Sequence, residues 1–587
     1  MGEAVLLTAS ARRALAVLAL GASLAAAQAA AQSVAPAGTA ASPSIVELQP
    51  AREASRVAVA GIAGVAAVRW VDLNPAVHAW FVLSLDGADG RVRSQWHLEN
   101  PEPARQRVRL DAADGGALAI ERDGAVTRCI PWAGGAASPL SVARAARSAY
   151  APLCDGRLVL RNAVRGHRSA LEAGTEFLRD RVPGGEDVVG FVKREVYRDA
   201  FVERGTPVPA GRASGGTAAG GAGTPPPLPL RAGFEGQSVL ADGLGLDAGP
   251  EAAAGWPLGR WRPVVGLPGV HVAVTRPDAV PEPPGTARWR PDPVEAKALV
   301  FLVAFDLSRH RLGFSLGTEH PRLGWSARVV PAVRDPASRG PDGIDGAAPL
   351  VRTGQVPPAQ RADVVATFTG GFKREHGAFR YGALAAANRG SHYGFVEQGV
   401  VFSRLVPGLS TLYVLQDGRV GMKTWSEADA ALVPRLRDAR QNGVPLVETP
   451  AGGGAPVIGG LVDRWGPGNW SGSADEQLRS LRAGACLLES GGTIHLVYGW
   501  FSTAVPATMA RVFLSAGCGH AMHLDMNALE HTYLAVHVRD GARLRIDHLV
   551  RGMAQLDRGE GDDRLPRFVG VPDDRDFFTV LRREAVR

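Results

Sequence analysis

The sequence predicts an α+β protein in two folded parts: an N-terminal antiparallel β domain with a helical appendage and, beyond a linker, a mixed α/β domain. Three observations carry this prediction. Residues 44–132 alternate apolar and polar side chains between turn signals, whereas residues 138–203 shift to a longer apolar period. Residues 205–233 then turn to Gly, Ala, Ser and Thr, followed by Pro225-Pro226-Pro227-Leu228-Pro229, a composition that cannot bury a core. The expected organisation is a signal peptide at 1–31, a β domain at 44–137, the helical appendage at 138–204, the linker at 205–250 and the second domain at 251–587.

The first residues have the three-part layout of an export signal. A short arginine-bearing stretch ends at Arg12-Arg13, the apolar run Ala14–Leu20 follows, and small residues continue through Ala31. Cleavage after Ala27 or Ala31 fits the small-residue rule; an uncleaved segment would tether the chain to the membrane. No later stretch approaches the roughly 18 consecutive apolar residues of a membrane span. A secreted or periplasmic location is therefore expected. The four cysteines fall as Cys129 with Cys154 and Cys486 with Cys518, one pair in each half. An oxidising compartment favours two disulfides, although four cysteines admit three connectivities. No cysteine/histidine cluster suggests structural zinc, and no cofactor is expected. The formal charge of +7 comes from 65 basic and 58 acidic residues interspersed along the chain, which argues for a solvated surface rather than a nucleic-acid partner.

In the first part, Trp80-Phe81-Val82-Leu83-Ser84-Leu85 and Arg107-Val108-Arg109-Leu110, with turns at Asp86-Gly87 and Asp114-Gly115-Gly116, read as strands. Ala170, Leu171, Phe177 and Leu178 read as one helical face. In the second part the apolar run Ala298–Phe305 and Leu312–Leu316 read as two strands joined by a turn. Val364–Phe368 reads as a buried strand ending at Gly370-Gly371, and Leu412–Met422 as a hairpin. Ser426 with Asp429 caps a helix that Pro434 kinks or ends.

Two segments carry candidate chemistry. Met509, Val512, Phe513 and Ala516 form the apolar face of a helix between Pro506 and Gly517, and Ala521–Asn527 follows it. As a strand, that segment puts Met522, Leu524 and Met526 on one face and His523, Asp525 and Asn527 on the other. A set of His520, His523, Asp525 and His531 is a conceivable but lower-ranked metal site. The second segment is Thr369-Gly370-Gly371-Phe372-Lys373-Arg374-Glu375-His376-Gly377. Paired glycines at a strand end allow close backbone approach, and the following cations suit a phosphate or other oxyanion.

Together these segments resemble the phosphodiester glycosidase family over roughly residues 294–538. The matching positions are Thr369-Gly370-Gly371-Phe372, then Arg482-Ala483-Gly484-Ala485-Cys486, with Arg479 able to fill the place of Arg482, then Leu524-Asp525-Met526-Asn527. Threonine stands where the family has asparagine, and Met526-Asn527-Ala528-Leu529 replaces a glycine-rich run. The resemblance implies an exported hydrolase of glycosyl phosphodiester bonds in a cell-envelope or extracellular polysaccharide or glycoconjugate. It assigns phosphate binding to Gly370, Gly371, Phe372, Lys373, Arg482 and Asn527. Asp525 becomes the carboxylate that activates water or stabilises the oxocarbenium-like centre, and His523 or His376 relays a proton. The expected partner is a carbohydrate or glycosyl phosphodiester. The alternatives are a non-catalytic envelope glycan-binding protein with a degenerate glycosidase fold, and a metal-dependent phosphodiesterase.

Overall fold

The structure, a computed structural model, describes residues 43–583 apart from 114–115, 184, 186–187, 189–198, 209–226, 287–289, 328, 376–391, 463–477, 542 and 560–563. The expected signal peptide and residues 209–226 of the expected linker lie outside the described residues. No helix among those described is long and apolar enough to cross a membrane.

The first part is a six-stranded sheet, in the order Glu53–Ala58, Ala67–Asp72, Trp80–Asp86, Val92–Glu99, Leu158–Arg161, Tyr150–Leu153. Beside it lies a three-stranded sheet of Gln106–Asp111, Ala117–Arg122 and Ala125–Cys129. All seven residues of Trp80–Asp86 are buried, although the strand alternates faces. The period of two divides its side chains between two cores. Phe81, Leu83 and Leu85 pack in the core of the first part. Trp80 and Val82 point the other way, into the large core shared with the C-terminal sheets.

Beyond residue 251 the architecture is β, which corrects the expected mixed α/β domain. An eight-stranded sheet runs Trp261–Pro263, Val270–Thr275, Val300–Asp306, Thr493–Ala504, Ser480–Ser490, Cys518–Met526, Pro445–Glu448, Val457–Ile458, antiparallel at every step. A five-stranded sheet of His310–Ser315, Phe577–Arg582, Val364–Thr369, Leu534–Asp540 and Arg543–His548 lies in the same unit. A second five-stranded sheet contains the predicted hairpin, as Ser410–Leu415 with Val420–Thr424. The appendage also departs from expectation. Among the described residues it supplies two strands to the six-stranded sheet as well as the helices Pro139–Ala145 and Ala170–Arg181. The reason is the length of the apolar runs. Segments of four to eight residues buried on both faces show neither period clearly, and neighbouring strands rather than helices cover them.

The helix Pro506–Ser515 packs on the eight-stranded sheet through a dimple made by glycines. Gly484 and Gly499 are cross-strand partners, and a Cβ on either would stand 2.8 Å from the Phe513 ring. The disulfide Cys486–Cys518 joins the strands beneath this helix, and Cys129–Cys154 joins the two N-terminal sheets. Two disulfides fit a protein that folds in an oxidising compartment outside the cytoplasm.

Arg161 links the first part to the second. Its guanidinium lies 4.3 Å from the Trp80 ring centroid, pairs with Glu99, and donates to Val351 O at 3.1 Å and Thr353 Oγ1 at 3.3 Å. Glu397 lies in the same buried cluster with its carboxylate 3.9 Å from Arg161, and burial outweighs that cation to push the carboxyl up to about 8.

Two outcomes follow. Closing a loop of 32 residues stabilises a fold by about 3–4 kcal/mol, so Cys486→Ala/Cys518→Ala should lose about that much in denaturant unfolding. A raised Glu397 carboxyl binds its proton more tightly in the folded state. Its contribution to stability is complete below about pH 4.5 and is lost as the pH rises through about 8. Unfolding measured from pH 4.5 to 8.5 should show that decline reduced in Glu397→Gln.

Candidate active site

The strand Cys518–Met526 brings His523 and Asp525 to one face, but that face meets protein rather than water. His523 is fully buried and Asp525 is 5% exposed. Asp525 Oδ2 accepts from Arg575 Nη1 at 2.6 Å, and Oδ1 accepts from Met526 N at 2.8 Å. Asn527 is not the third member of the row. The strand ends at Met526, and Asn527 takes a left-handed φ of 81° with its backbone N–H donating to Leu481 O at 2.8 Å. Asparagine tolerates that conformation better than most residues, which explains its place at the strand end.

The Gly370-Gly371 turn follows Val364–Thr369 and lies against a second buried ion pair. Arg440 Nε meets Asp576 Oδ2 at 2.5 Å, and Gly370 N donates to Asp576 O at 2.9 Å. A Cβ on Gly370 would come within 2.4 Å of Asp576 Oδ2, and one on Gly371 within 2.6 Å of Arg440 Nη1. The glycines are thus required by side chains already present. Phe372 then packs edge-on against His523, with centroids 4.6 Å apart. Asn442 ties the turn to the strand by accepting from Phe372 N at 3.2 Å and donating to Leu524 O at 2.6 Å.

Lys373 points into three carboxylates. Its Nζ pairs with Glu176 and lies 3.2 Å from Glu172 Oε1 and 3.3 Å from Asp574 Oδ2. Burial disfavours its charge, but Glu172, Asp574 and Glu176 outweigh that effect and raise its titration above the ordinary lysine value. Burial likewise opposes ionisation of Glu172, while Arg575 and Lys373 hold its carboxyl well below the usual range. Arg575 Nε donates to Glu172 at 2.8 Å, so this one guanidinium joins Glu172 to Asp525.

Arg482 is buried beside His523 rather than at Lys373. It donates to Ala504 O and Leu478 O at 2.7 Å each, and its Nη1 lies 3.4 Å from His523 Nε2. Burial and this guanidinium lower His523 well below the ordinary histidine value, so the imidazole is neutral at physiological pH. Arg479, the other residue able to fill the motif position, pairs instead with Asp199 and Asp292. His376 lies outside the described residues.

The proposed metal set does not converge. His520 Nε2 bonds Ser410 Oγ at 2.8 Å and burial lowers it to about 3, whereas His531 Nδ1 bonds Met526 O at 2.8 Å. Among the described residues, the groups with ligand atoms close enough for one ion are Glu172/Glu530/His531 and Glu172/Glu176/Asp574. In the second of these the Lys373 ammonium is the cation held, and Glu172 of both groups is already bonded to Arg575.

Sequence reasoning missed Glu172, Glu176, Arg440 and the run Asp573-Asp574-Arg575-Asp576. That run was visible as four charges directly before the apolar Phe577-Phe578-Thr579-Val580-Leu581, and all four side chains are at most 4% exposed. The two glutamates were visible as an i, i+4 pair.

No protein-family model and no curated protein matches the chain. Among solved structures, the zebrafish N-acetylglucosamine-1-phosphodiester alpha-N-acetylglucosaminidase catalytic domain is 9% identical, with 55% of this chain and 85% of that one covered and a TM-score of 0.27. A Burkholderia pseudomallei protein assigned as exported is 12% identical, covering 48% of this chain and 74% of that one, at a TM-score of 0.21. A hypothetical Synechocystis protein is 10% identical, with coverages of 90% and 81% and a TM-score of 0.24. These are weak structural similarities, and they assign neither a family nor an activity.

Removing a buried ion partner typically costs about 3–5 kcal/mol. Lys373→Ala should lose about that much at pH 7, measured by denaturant unfolding. The pH profile should change as well. In the wild type the depressed Glu172 carboxyl contributes stability that is complete above about pH 4.5 and is lost as the pH falls. Without Lys373 the carboxylates repel one another, and acidification should recover part of the lost stability.

Proposed function

We propose that the chain is an exported hydrolase of glycosyl phosphodiester bonds in a cell-envelope or extracellular polysaccharide or glycoconjugate. The supporting observation is the link Asp525–Arg575–Glu172–Lys373, in which one oriented carboxylate lies in the same buried network as two fixed cations. Cleavage at an anomeric carbon needs a carboxylate to activate water or stabilise the oxocarbenium-like centre. It also needs cations where the departing phosphate gains charge. Asp525 is assigned the first task, with its orientation set by Arg575 and the Met526 amide. Lys373 and Arg575 are assigned the second. Arg482 and Phe372 position the neutral His523, which lies two residues before Asp525 on the same strand. Any proton relay is left to His376, on sequence grounds.

Burial favours a second reading. Asp525, Glu172, Glu176 and Lys373 are each no more than 8% exposed, which also suits a non-catalytic glycan-binding protein that retains the network as a structural core. Wild type and Asp525→Asn should be compared on glycosyl phosphodiesters, with sugar and phosphomonoester measured separately. The hydrolase reading expects release by the wild type and a loss of at least about a hundredfold in the variant with the far-ultraviolet spectrum unchanged. Equal rates in the two proteins, or polymer binding with no turnover by either, would sink it.

A further inference from the structure

Among its described side chains, the helix Ala170–Arg181 buries charged groups and exposes apolar ones. Glu172 and Glu176, one turn apart, are 4% and 8% exposed, while Phe177 and Leu178 are 62% and 39% exposed. A surface helix normally buries its apolar side. Here no described side chain of the helix joins an apolar core cluster. The described side chains attach it through ion pairs instead. Glu172 bonds Arg575 and Lys373, Glu176 pairs with Lys373, and Arg168 just before the helix pairs with Glu176, Glu319 and Asp574. Desolvation offsets much of the attraction in buried ion pairs, so this attachment contributes less than an apolar face would. A segment attached in that way is among the easiest to release.

The charge balance gives the identity of a competitor. Without the helix, Lys373 keeps Asp574 and Arg575 keeps Asp525. The helix supplies two further carboxylates, equal in charge to one phosphate dianion. A tetrahedral oxyanion also offers several acceptors to the guanidinium fork and the ammonium.

We infer that Lys373 and Arg575 form a binding site for a doubly charged oxyanion of the phosphate class, which Glu172 and Glu176 fill here as an internal ligand on a displaceable helix. The inference rests on the assignment of these cations to the phosphate end of the active site, but its test needs no turnover. An external anion binds only the form with the helix displaced, so its apparent affinity falls by the fraction of molecules in that form. By the same linkage, a bound anion favours release of the helix.

The test uses the full chain and inorganic phosphate at low salt. Calorimetric titration should show phosphate binding at least tenfold tighter in Glu172→Gln/Glu176→Gln than in the wild type, and adding Lys373→Met should abolish the gain. Unchanged affinity in the folded double variant, or a gain that survives Lys373→Met, overturns the proposal. Hydrogen exchange on the wild type gives an independent reading that carries the test if the variant does not fold. Saturating phosphate should accelerate exchange of the amides of residues 170–181 selectively, and an unchanged rate there overturns the proposal. Phosphate binding and helix release without cleavage of any glycosyl phosphodiester would remove the hydrolase reading and leave the anion site standing. Cleavage without helix release would do the reverse.

Discussion

Arg575 bonds a carboxylate on the late strand and another on a helix four hundred residues earlier in the chain, and much of the local geometry follows from that sharing. A guanidinium stays charged at any pH the fold survives, so burying it requires carboxylates in fixed positions. Asp525 and Glu172 meet that requirement, and Lys373 compensates the second carboxylate in turn. The Gly370-Gly371 turn can approach because neither residue carries a side chain where Arg440 and Asp576 lie. Removing any one member leaves a charge without its partner in a region that water barely reaches.

The same sharing explains which parts of the fold were legible in the sequence. The strands around Phe301, Phe368 and Leu412 and the helix around Val512 were readable, because an uninterrupted apolar run or a clean helical period admits few other structures. The strands Tyr150–Leu153 and Leu158–Arg161 were not. Each has four residues, too few to display a period, and Arg161 looks like a surface cation until Glu99 and Trp80 are found around it. The expected mixed α/β domain failed for a related reason. The eight-stranded sheet is packed by one helix, Pro506–Ser515, and by the strands Ser410–Leu415 and Val420–Thr424 of a neighbouring sheet.

The site was legible by residue and illegible by environment. His523 and Asp525 could be placed on one strand face, and the paired glycines at a strand end. Their meaning depended on partners that no local pattern reveals. A strand face carrying a histidine and a carboxylate normally predicts solvent, and Glu172 with Glu176 normally predicts the outer side of a helix. Here both are buried, joined through Arg575, which bonds Asp525 and Glu172. Buried charges of opposite sign select one another across the fold, and such a pairing leaves no periodic trace in either segment.

That mutual burial also sets the terms on which the cluster can do chemistry. Excluding water strengthens the attraction of Arg575 and Lys373 for a developing negative charge, which is what stabilisation of a phosphate leaving group requires. The carboxylates that make their burial tolerable cancel the same field while they remain in place. Asp525 lies within the strand Cys518–Met526, and Asp574 lies in the buried run that leads into the strand Phe577–Arg582. Glu172 and Glu176 belong to a helix whose described apolar side chains face water, so they are the pair that can leave at least cost. A network of this kind is inert while its own helix neutralises it, and it becomes an electrophilic pocket when an anion takes the helix's place.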